Sequence, residues 1–285
     1  MNIIYNKNSI YIKTDCFDLQ KTFECGQCFR FDKNADGSYS GIAYGKSLTL
    51  YQRPDGVELF GVTKAEFEKT FFDYFDLSRD YNEINKILSR DTVLKDIIPF
   101  SRGIRILNQQ PFETVVSFII SASNNIPRIK KIIASLCENF GQNGSFPSPQ
   151  TLAECSVNDL GVIRAGFRDK YIIDCAKKIA SGEIDLEKIK QMSYRDASAE
   201  LQKINGVGQK VADCSLLFGF GFVNAFPKDV WIKRILAHFY GVTDEKSLNF
   251  YGYGGIAQQY LFYYAITTHL NDTIKEKEKQ YAVQV

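Results

Sequence analysis

The chain has almost no net charge. Its 285 residues carry 35 Lys and Arg against 33 Asp and Glu, a formal balance of +2. Such a balance neither demands nor excludes nucleic acid, because a local basic or amide-rich face is enough to hold phosphates. Long apolar runs are missing as well. No stretch approaches the ~18–20 residues that a membrane span needs, so no membrane role is expected. The opening Met1-Asn2-Ile3-Ile4-Tyr5-Asn6-Lys7 lacks the charged segment and apolar run of a secretory leader. The cysteines are seven, an odd number, and scattered, which argues for reduced thiols in a cytoplasmic protein. Cys25 and Cys28 form one C-x-x-C with no second ligand pair at metal spacing. They read as two half-buried small side chains rather than a zinc or redox site, and no metal is expected. There is no internal repeat and no low-complexity linker.

What is present suits a folded chain. Apolar residues make up 45% and aromatics 14%, ample for a sizeable core and too much for a disordered chain. The length suits one compound unit of two subdomains. Residues 8–62 read as strands. Ser38 to Tyr44 and Leu48 to Gln52 are rich in Tyr, Ile, Leu and Thr, and turn signals at Asp36-Gly37, Tyr44-Gly45 and Pro54-Asp55-Gly56 separate the runs. Short spacing favours an antiparallel meander. From Lys64 the period changes: Phe67, Phe71, Phe72 and Phe75 predict an amphipathic helix on the sheet. From Phe112 onward nearly everything is helical. Val115, Val116, Ile119 and Ile120 mark one apolar face, and Ile126, Ile129, Ile132, Ile133 and Leu136 another. The charged run at 275–279 is expected to fray.

The informative stretch is Leu201 to Tyr240. Leu201 to Ile204 end a helix, Asn205-Gly206-Val207-Gly208 make a tight hairpin, and Gln209 to Cys214 open a second helix. Two glycines let the backbone turn sharply and approach another surface. The amides of such a hairpin and first turn bind a phosphate without sequence preference; the plainer alternative is an ordinary helix–helix corner. Lys210 sits in the first helical turn, where the dipole and partial burial favour a neutral amine. A neutral lysine is a nucleophile that forms Schiff bases with carbonyl carbons; the plainer alternative is a surface lysine. Asp229 ends a proline-containing loop before an apolar-periodic helix and so reads as an N-cap. A carboxylate held there can also stabilise a developing sugar cation.

With Lys210 and Asp229 in hand, the helix-hairpin-helix followed by a Gly/Pro-containing loop and Asp resembles the helix-hairpin-helix DNA glycosylase superfamily. Gly206-Val207-Gly208-Gln209-Lys210-Val211-Ala212-Asp213-Cys214 closely resembles the 8-oxoguanine DNA glycosylase/AP lyases. Three further segments are similar to that family in order: Cys25-Gly26-Gln27-Cys28-Phe29-Arg30, Ser123-Asn124-Asn125-Ile126-Pro127-Arg128-Ile129 and Gly255-Ile256-Ala257-Gln258-Gln259-Tyr260-Leu261-Phe262. Four ordered motifs spanning Gly26 to Phe262 are strong where any one is weak.

The resemblance implies an α+β fold. A small antiparallel, TATA-binding-protein-like β domain at 1–97 would pack on a helical domain at 98–285, with the helix-hairpin-helix at about 193–221. It implies a monomeric base excision repair enzyme acting on double-stranded DNA containing 8-oxoguanine, without cofactor. Lys210 would attack the sugar and Asp229 assist. The Gly26 carbonyl would accept the N7 hydrogen of the lesion, Gln258 would read its Watson–Crick edge, and Cys214 and Phe262 would sandwich it. At helical spacing Phe262 otherwise reads as core. Asn124, Arg128, Phe167 and Arg168 would fill the gap and meet the partner cytosine, while Gly206, Gly208, Gln209 and Trp231 would contact DNA. The chain departs from the vertebrate-like pattern at Ser123, where Asn is expected, at Phe167, where Tyr is expected, and at Trp231, where His is expected. An endonuclease III-like enzyme shares the Lys/Asp pair but usually carries four clustered C-terminal cysteines for an iron–sulfur cluster, and no cysteine follows Cys214 here. An alkylated-purine glycosylase would keep Asp229 without needing Lys210. A non-enzymatic DNA-binding module would leave Asp229 and the base-pocket motifs unexplained.

Overall fold

Alternating apolar side chains between residues 10 and 60 become a six-stranded antiparallel sheet in the computed structural model, which describes residues 1–270. The run at 275–279 lies outside the described residues. Strands β1 (Asn2–Tyr5), β2 (Ile10–Lys13), β3 (Phe31–Lys33), β4 (Tyr39–Ala43), β5 (Lys46–Arg53) and β6 (Gly56–Phe60) stand in the order β1-β2-β6-β5-β4-β3. The expected meander holds from β3 to β6, and the β1–β2 hairpin is added beyond β6. Tyr44 and Gly45 both take positive φ, at 50° and 71°. That is the primed turn whose twist suits a two-residue hairpin. Ile10, Ile12, Leu48, Leu50, Val57 and Leu59 point to one buried face, as a period of two requires.

One element inside 8–62 differs from expectation. Helix α1 (Leu19–Glu24) interrupts the strands, with Asp18 accepting from Lys21 N at 2.9 Å. Six residues are too few for helical periodicity to register. The phenylalanine-rich run forms α2, built from Lys64–Glu66, a π turn at Phe67–Phe71 and Phe72–Tyr74. Phe67, Phe71 and Phe75 are fully buried against the sheet.

The helical region comprises α3 (Tyr81–Leu88), α4 (Thr92–Ser101), α5 (Pro111–Ser121), α6 (Ile126–Phe140), α7 (Asp169–Ala180), α8 (Tyr194–Leu201), α9 (Gln209–Gly219), α10 (Val230–Tyr240) and α11 (Gly254–Thr267), with shorter turns between. The two apolar cores do not divide the chain at one point: Cys16, Cys25 and Phe29 from the β-rich region also pack in the helical core. Tyr81, Ile84, Leu88, Leu94 and Ile97 belong to the helical core, whereas Leu107 belongs to the core under the sheet. Helix α5 is buried from Phe112 to Ile120, not on one face alone, because it runs through the middle of the helices. Ile126 is exposed although it continues the apolar row of α6, since the start of that helix stands clear of the core.

The two cores meet along residues 104–109, which pair with no strand. Their backbone groups are met from both sides instead. Arg105 N donates to Thr22 Oγ1 at 3.2 Å, Ile106 N to the Tyr81 hydroxyl at 2.9 Å and Leu107 N to Gln27 Oε1 at 2.9 Å. The Arg105 guanidinium is buried and donates to the carbonyls of Phe75 (2.8 Å), Cys16 (2.8 Å) and Asp76 (2.7 Å). It also lies 4.4 Å from the Tyr81 ring centroid. A buried carbonyl stripped of its donor costs about 1–3 kcal/mol. Arg105→Met therefore should lower stability by at least about 3 kcal/mol, read from urea unfolding midpoints. An unchanged midpoint would show that the seam does not depend on this fork.

Candidate active site

The site is built around the start of α9. Val207 N donates back to Ile204 O at 3.0 Å, closing the hairpin, while the amides of residues 208–211 form no backbone hydrogen bond. Gly208 caps the helix without a side-chain bond, so the positive helix end is open. The two glycines serve different ends. Gly206 has φ +85°, and a Cβ there would lie 2.5 Å from Tyr171 Cγ. The close approach expected of the hairpin is thus partly an internal one, to the Tyr171 ring. Gly208 has ordinary φ, and nothing lies within 4 Å of a Cβ built on it.

Lys210 and Cys214 are one turn apart on α9, so they share a face. The Lys210 Nζ stands 5.4 Å from the Phe118 ring centroid. Phe118 in turn packs on Phe218 at 5.4 Å and on Phe29 at 5.7 Å, which ties the lysine to the loop that carries Gly26. Burial pushes the Cys214 thiol up to about 11, the Lys210 ammonium pulls it back, and the Asp213 and Asp229 carboxylates push it further. The thiol is therefore neutral at ordinary pH and offers a soft, uncharged contact.

Asp229 caps α10, with Oδ1 accepting from Ile232 N at 2.9 Å. The capping reading and the catalytic reading use different oxygens, for Oδ2 makes no hydrogen bond among the described residues. The preceding Lys228 is anchored to Asp244 at 2.8 Å and Glu245 at 2.5 Å, which steadies the approach to the cap.

Across from α9, Gly26 takes φ +79°, and a Cβ there would lie 3.6 Å from Phe262 Cε1. The Gly26 backbone and the Phe262 ring are thus neighbours, and the Gly26 carbonyl carries no backbone hydrogen bond among the described residues. Phe262 is only half-buried, unlike a core residue. Gln258, one turn earlier on α11, is buried. Gln27 holds the Gly26 loop. Its Nε2 donates to Thr22 O and Arg105 O, both at 2.8 Å, and its carbonyl accepts from Gln109 Nε2 at 2.7 Å. Arg30 pins the far side through a largely buried ion pair with Glu113 at 3.0 Å. Cys25 and Cys28 are both buried free thiols, more deeply placed than the half-buried pair expected from sequence.

The gap-filling candidates gather on a neighbouring surface. Arg128 Nη2 lies 3.4 Å from Arg164 O, Phe167 stacks over the Arg168 guanidinium at 4.4 Å, and the Phe167 ring meets Tyr171 edge-on at 6.2 Å. Phe167 is 61% exposed, an apolar ring held out from the surface. Ser123 takes φ +50°, a region Asn tolerates better than Ser. Asn124 spends its side chain locally, donating to Ile120 O at 3.1 Å and accepting from Asn125 N at 3.0 Å. Two candidates spend their side chains on the scaffold. Arg168 is buried and donates to Ala122 O, to Ser123 O at 3.2 Å and to Ala165 O at 3.2 Å, so it scaffolds the 122–168 contact. The Gln209 side chain, although exposed, donates to Asp213 Oδ1 at 2.8 Å and Ser198 Oγ at 3.2 Å, clipping α8 to α9 and committing its amino group to the scaffold. Asp213 is buried and also accepts from the Tyr194 hydroxyl at 2.6 Å; burial raises its carboxyl, and these two donors oppose the shift. Trp231 is half-buried under Arg234, 5.0 Å from its ring. Sequence reasoning assigned no part to Gln27, Arg105, Phe118 or Asp213. Gln27 and Asp213 lay inside quoted motifs, but Arg105 and Phe118 carry no local signal. A cleft of about 850 Å³ between β4, β5 and α6 is lined by Phe29, Leu48, Lys130 and Cys137 among others; Lys210, Asp229, Gly26 and Phe262 do not line it.

A helix-hairpin-helix with an open amide end, a lysine in its first turn and a capping aspartate defines the class of base excision DNA repair proteins. Residues 116–249 match the family described as HhH-GPD superfamily base excision DNA repair protein, and residues 9–115 match the 8-oxoguanine DNA glycosylase, N-terminal domain. The chain belongs to the N-glycosylase/DNA lyase family: it is 34% identical over 238 residues to a probable N-glycosylase/DNA lyase of Methanothermobacter thermautotrophicus, covering 71% of this chain and 76% of that relative. Two solved structures of the 8-oxoguanine glycosylase/lyase of Clostridium acetobutylicum superpose closely. The apo form is 41% identical with a TM-score of 0.87, covering 92% of this chain and 98% of that one. The complex with double-stranded DNA containing cytosine opposite 8-oxoguanine is 39% identical with a TM-score of 0.88, covering 94% and 99%.

The two hairpin glycines separate folding from binding. Gly206→Ala forces a left-handed alanine into the Tyr171 ring and should lose at least about 2 kcal/mol of stability. Gly208→Ala should unfold within about 0.5 kcal/mol of wild type. It should nevertheless bind duplex DNA roughly fivefold or more weakly, about 1 kcal/mol, because its methyl intrudes before the open amides. Duplex titrations alongside denaturation curves decide the matter; equal binding by Gly208→Ala would mean that phosphate does not approach there.

Proposed function

We propose that the chain excises 8-oxoguanine from double-stranded DNA and then cleaves the strand through a lysine Schiff base. The observation that carries this reading is the placement of Lys210 in the first turn of the open-ended helix α9, one turn before the buried Cys214, together with Asp229 capping α10 through one carboxylate oxygen and leaving the other unbonded among the described residues. The closeness of Gly26 to the Phe262 ring supports a base slot between Cys214 and Phe262. In this reading the lesion is flipped from the stack at a cost of a few kcal/mol, which contacts in the slot offset. The Gly26 carbonyl accepts the N7 hydrogen that guanine lacks; a base without that hydrogen leaves a buried acceptor unpaired.

The lysine amine bonds to the sugar C1′ as the bond from C1′ to the base breaks, and the base leaves with the bonding electrons and gains a proton. The free oxygen of Asp229 stabilises the positive charge that develops on the sugar. Opening of the sugar ring gives the protonated imine. Loss of a C2′ proton then expels the 3′ phosphate oxygen, and water releases Lys210. One amine serves both steps. We further propose a monomer in a reducing, cytoplasmic setting, a reading supported by seven unpaired thiols.

Lys210→Gln should still bind lesion duplex but give no borohydride-trapped adduct and no strand cleavage. Asp229→Asn keeps much of the cap and should retain its melting temperature while single-turnover excision falls at least ~10²-fold. Trapping by the first variant, or undiminished excision by the second, would remove that residue from the mechanism.

Discrimination for cytosine opposite the lesion should be weaker than in relatives with the fuller contact set. Phe167 can wedge but cannot hydrogen-bond, Ser123 is shorter than Asn, and the Arg168 donors are taken by carbonyls. Ser123→Asn combined with Phe167→Tyr should sharpen the preference by roughly one decade, from two hydrogen bonds of ~0.5–1.5 kcal/mol each. The assay is excision opposite C, T, G and A. A wild type already confined to cytosine, with no gain in the double variant, would show that other residues set the choice.

A further inference from the structure

Gln258 and Gln259 lie side by side on α11, and each is 4% exposed. Gln259 Nε2 donates to Gln258 Oε1 at 2.9 Å. The remaining end of Gln259, Oε1, is buried and has no hydrogen-bond partner. Buried side-chain amides are normally satisfied at both ends, and a leucine or methionine would fill this core position without an orphan. The Gln258 amide makes no other side-chain hydrogen bond among the described residues, so its Nε2 and one lone pair of Oε1 are uncommitted.

We infer that Gln259 is a positioning residue that sets the polarity of the Gln258 amide and thereby decides which purine edge the base slot accepts. The inference rests on the reading of Gln258 as the residue that meets the Watson–Crick edge. A glutamine amide presents a donor at one end and an acceptor at the other, and half a turn exchanges them. The edge of 8-oxoguanine has an acceptor, O6, beside a donor, N1–H. The edge of 8-oxoadenine has the reverse, an N6 amino donor beside the N1 acceptor. With Oε1 held by Gln259, Gln258 Nε2 donates to O6 and the second lone pair of Oε1 accepts from N1–H. If Gln258 alone turned over, its amino group would face the amino group of Gln259, two donors with no acceptor between them. Turning both amides together restores a bond between them but buries the Gln259 amino group without a partner. Orphaned N–H groups are rarer in proteins than under-satisfied carbonyls, so the orphan on Gln259 is left on the side that favours the guanine-type order.

The test is single-turnover excision of 8-oxoguanine and of 8-oxoadenine from matched duplexes by wild type, Gln259→Met, Gln259→Asn and Gln258→Ala. Gln259→Met keeps length and volume without the amide, and Gln259→Asn keeps the amide but withdraws it from reach. Both should lower the ratio of 8-oxoguanine to 8-oxoadenine excision roughly threefold to tenfold, the effect of one net hydrogen bond. A general loss of stability would slow both substrates alike and leave the ratio unmoved. If the ratio stays at the wild-type value in both Gln259 variants while Gln258→Ala collapses it, this inference is wrong and the base-edge reading of Gln258 stands. If Gln258→Ala also leaves the ratio unchanged, both are wrong. Should Gln259→Met fail to fold, the Asn variant supplies the same comparison.

Discussion

Residues 104–109 are the constraint on which the remainder depends. An extended segment with no strand beside it must have its backbone groups satisfied by other means. Here side chains from both sides meet three of the amides, Thr22 and Gln27 from the β-rich region and Tyr81 from α3, backbone carbonyls of Ser101, Tyr74 and Phe218 meet the other three, and the Arg105 fork reaches back to three neighbouring carbonyls. Because those groups are buried, the segment cannot slide without leaving several of them unpaired at once. The sheet and the helices are consequently held in one register rather than merely in contact.

The site inherits that register. Gln27 bonds to the seam through both ends of its amide and is the neighbour of Gly26. A rigid seam therefore means a rigid Gly26 loop, held against Phe262 on a helix distant in sequence. From the other direction, Phe118 on the central buried helix supports Lys210 and touches Phe29 of the same loop. The proposed nucleophile and the proposed base slot are thus referred to common supports. Low tolerance for displacement is what positioning catalysis needs, since small misplacements of reacting atoms are costly.

Polar side chains in this region divide between outward and inward duties. Arg168 and Gln209 face the scaffold, where they tie 122–168 and α8–α9 together. Arg128 and Phe167 remain exposed. A near-neutral protein can meet DNA in this way, through open helix amides and a few unspent groups, without a large basic surface.

The sequence by itself determined the order of the elements, the hairpin at Gly206–Gly208, the lysine two positions later and the aspartate cap, because turns, caps and first-turn positions are local properties of the chain. It determined the phenylalanine face of α2 for the same reason: apolar period is written residue by residue. It did not reveal α1, too short to show a period, or that α5 is buried on every side. Only the tertiary structure decided that Arg168 points inward, that Gln209 spends its amino group on Asp213 and Ser198, that Gly206 is fixed by a Tyr171 ring thirty-five positions earlier in the chain, and that Gln259 holds Gln258 with its other end unsatisfied. These follow from which groups of distant elements meet in a dry interior, where every donor must find an acceptor, and nothing in local sequence encodes that meeting.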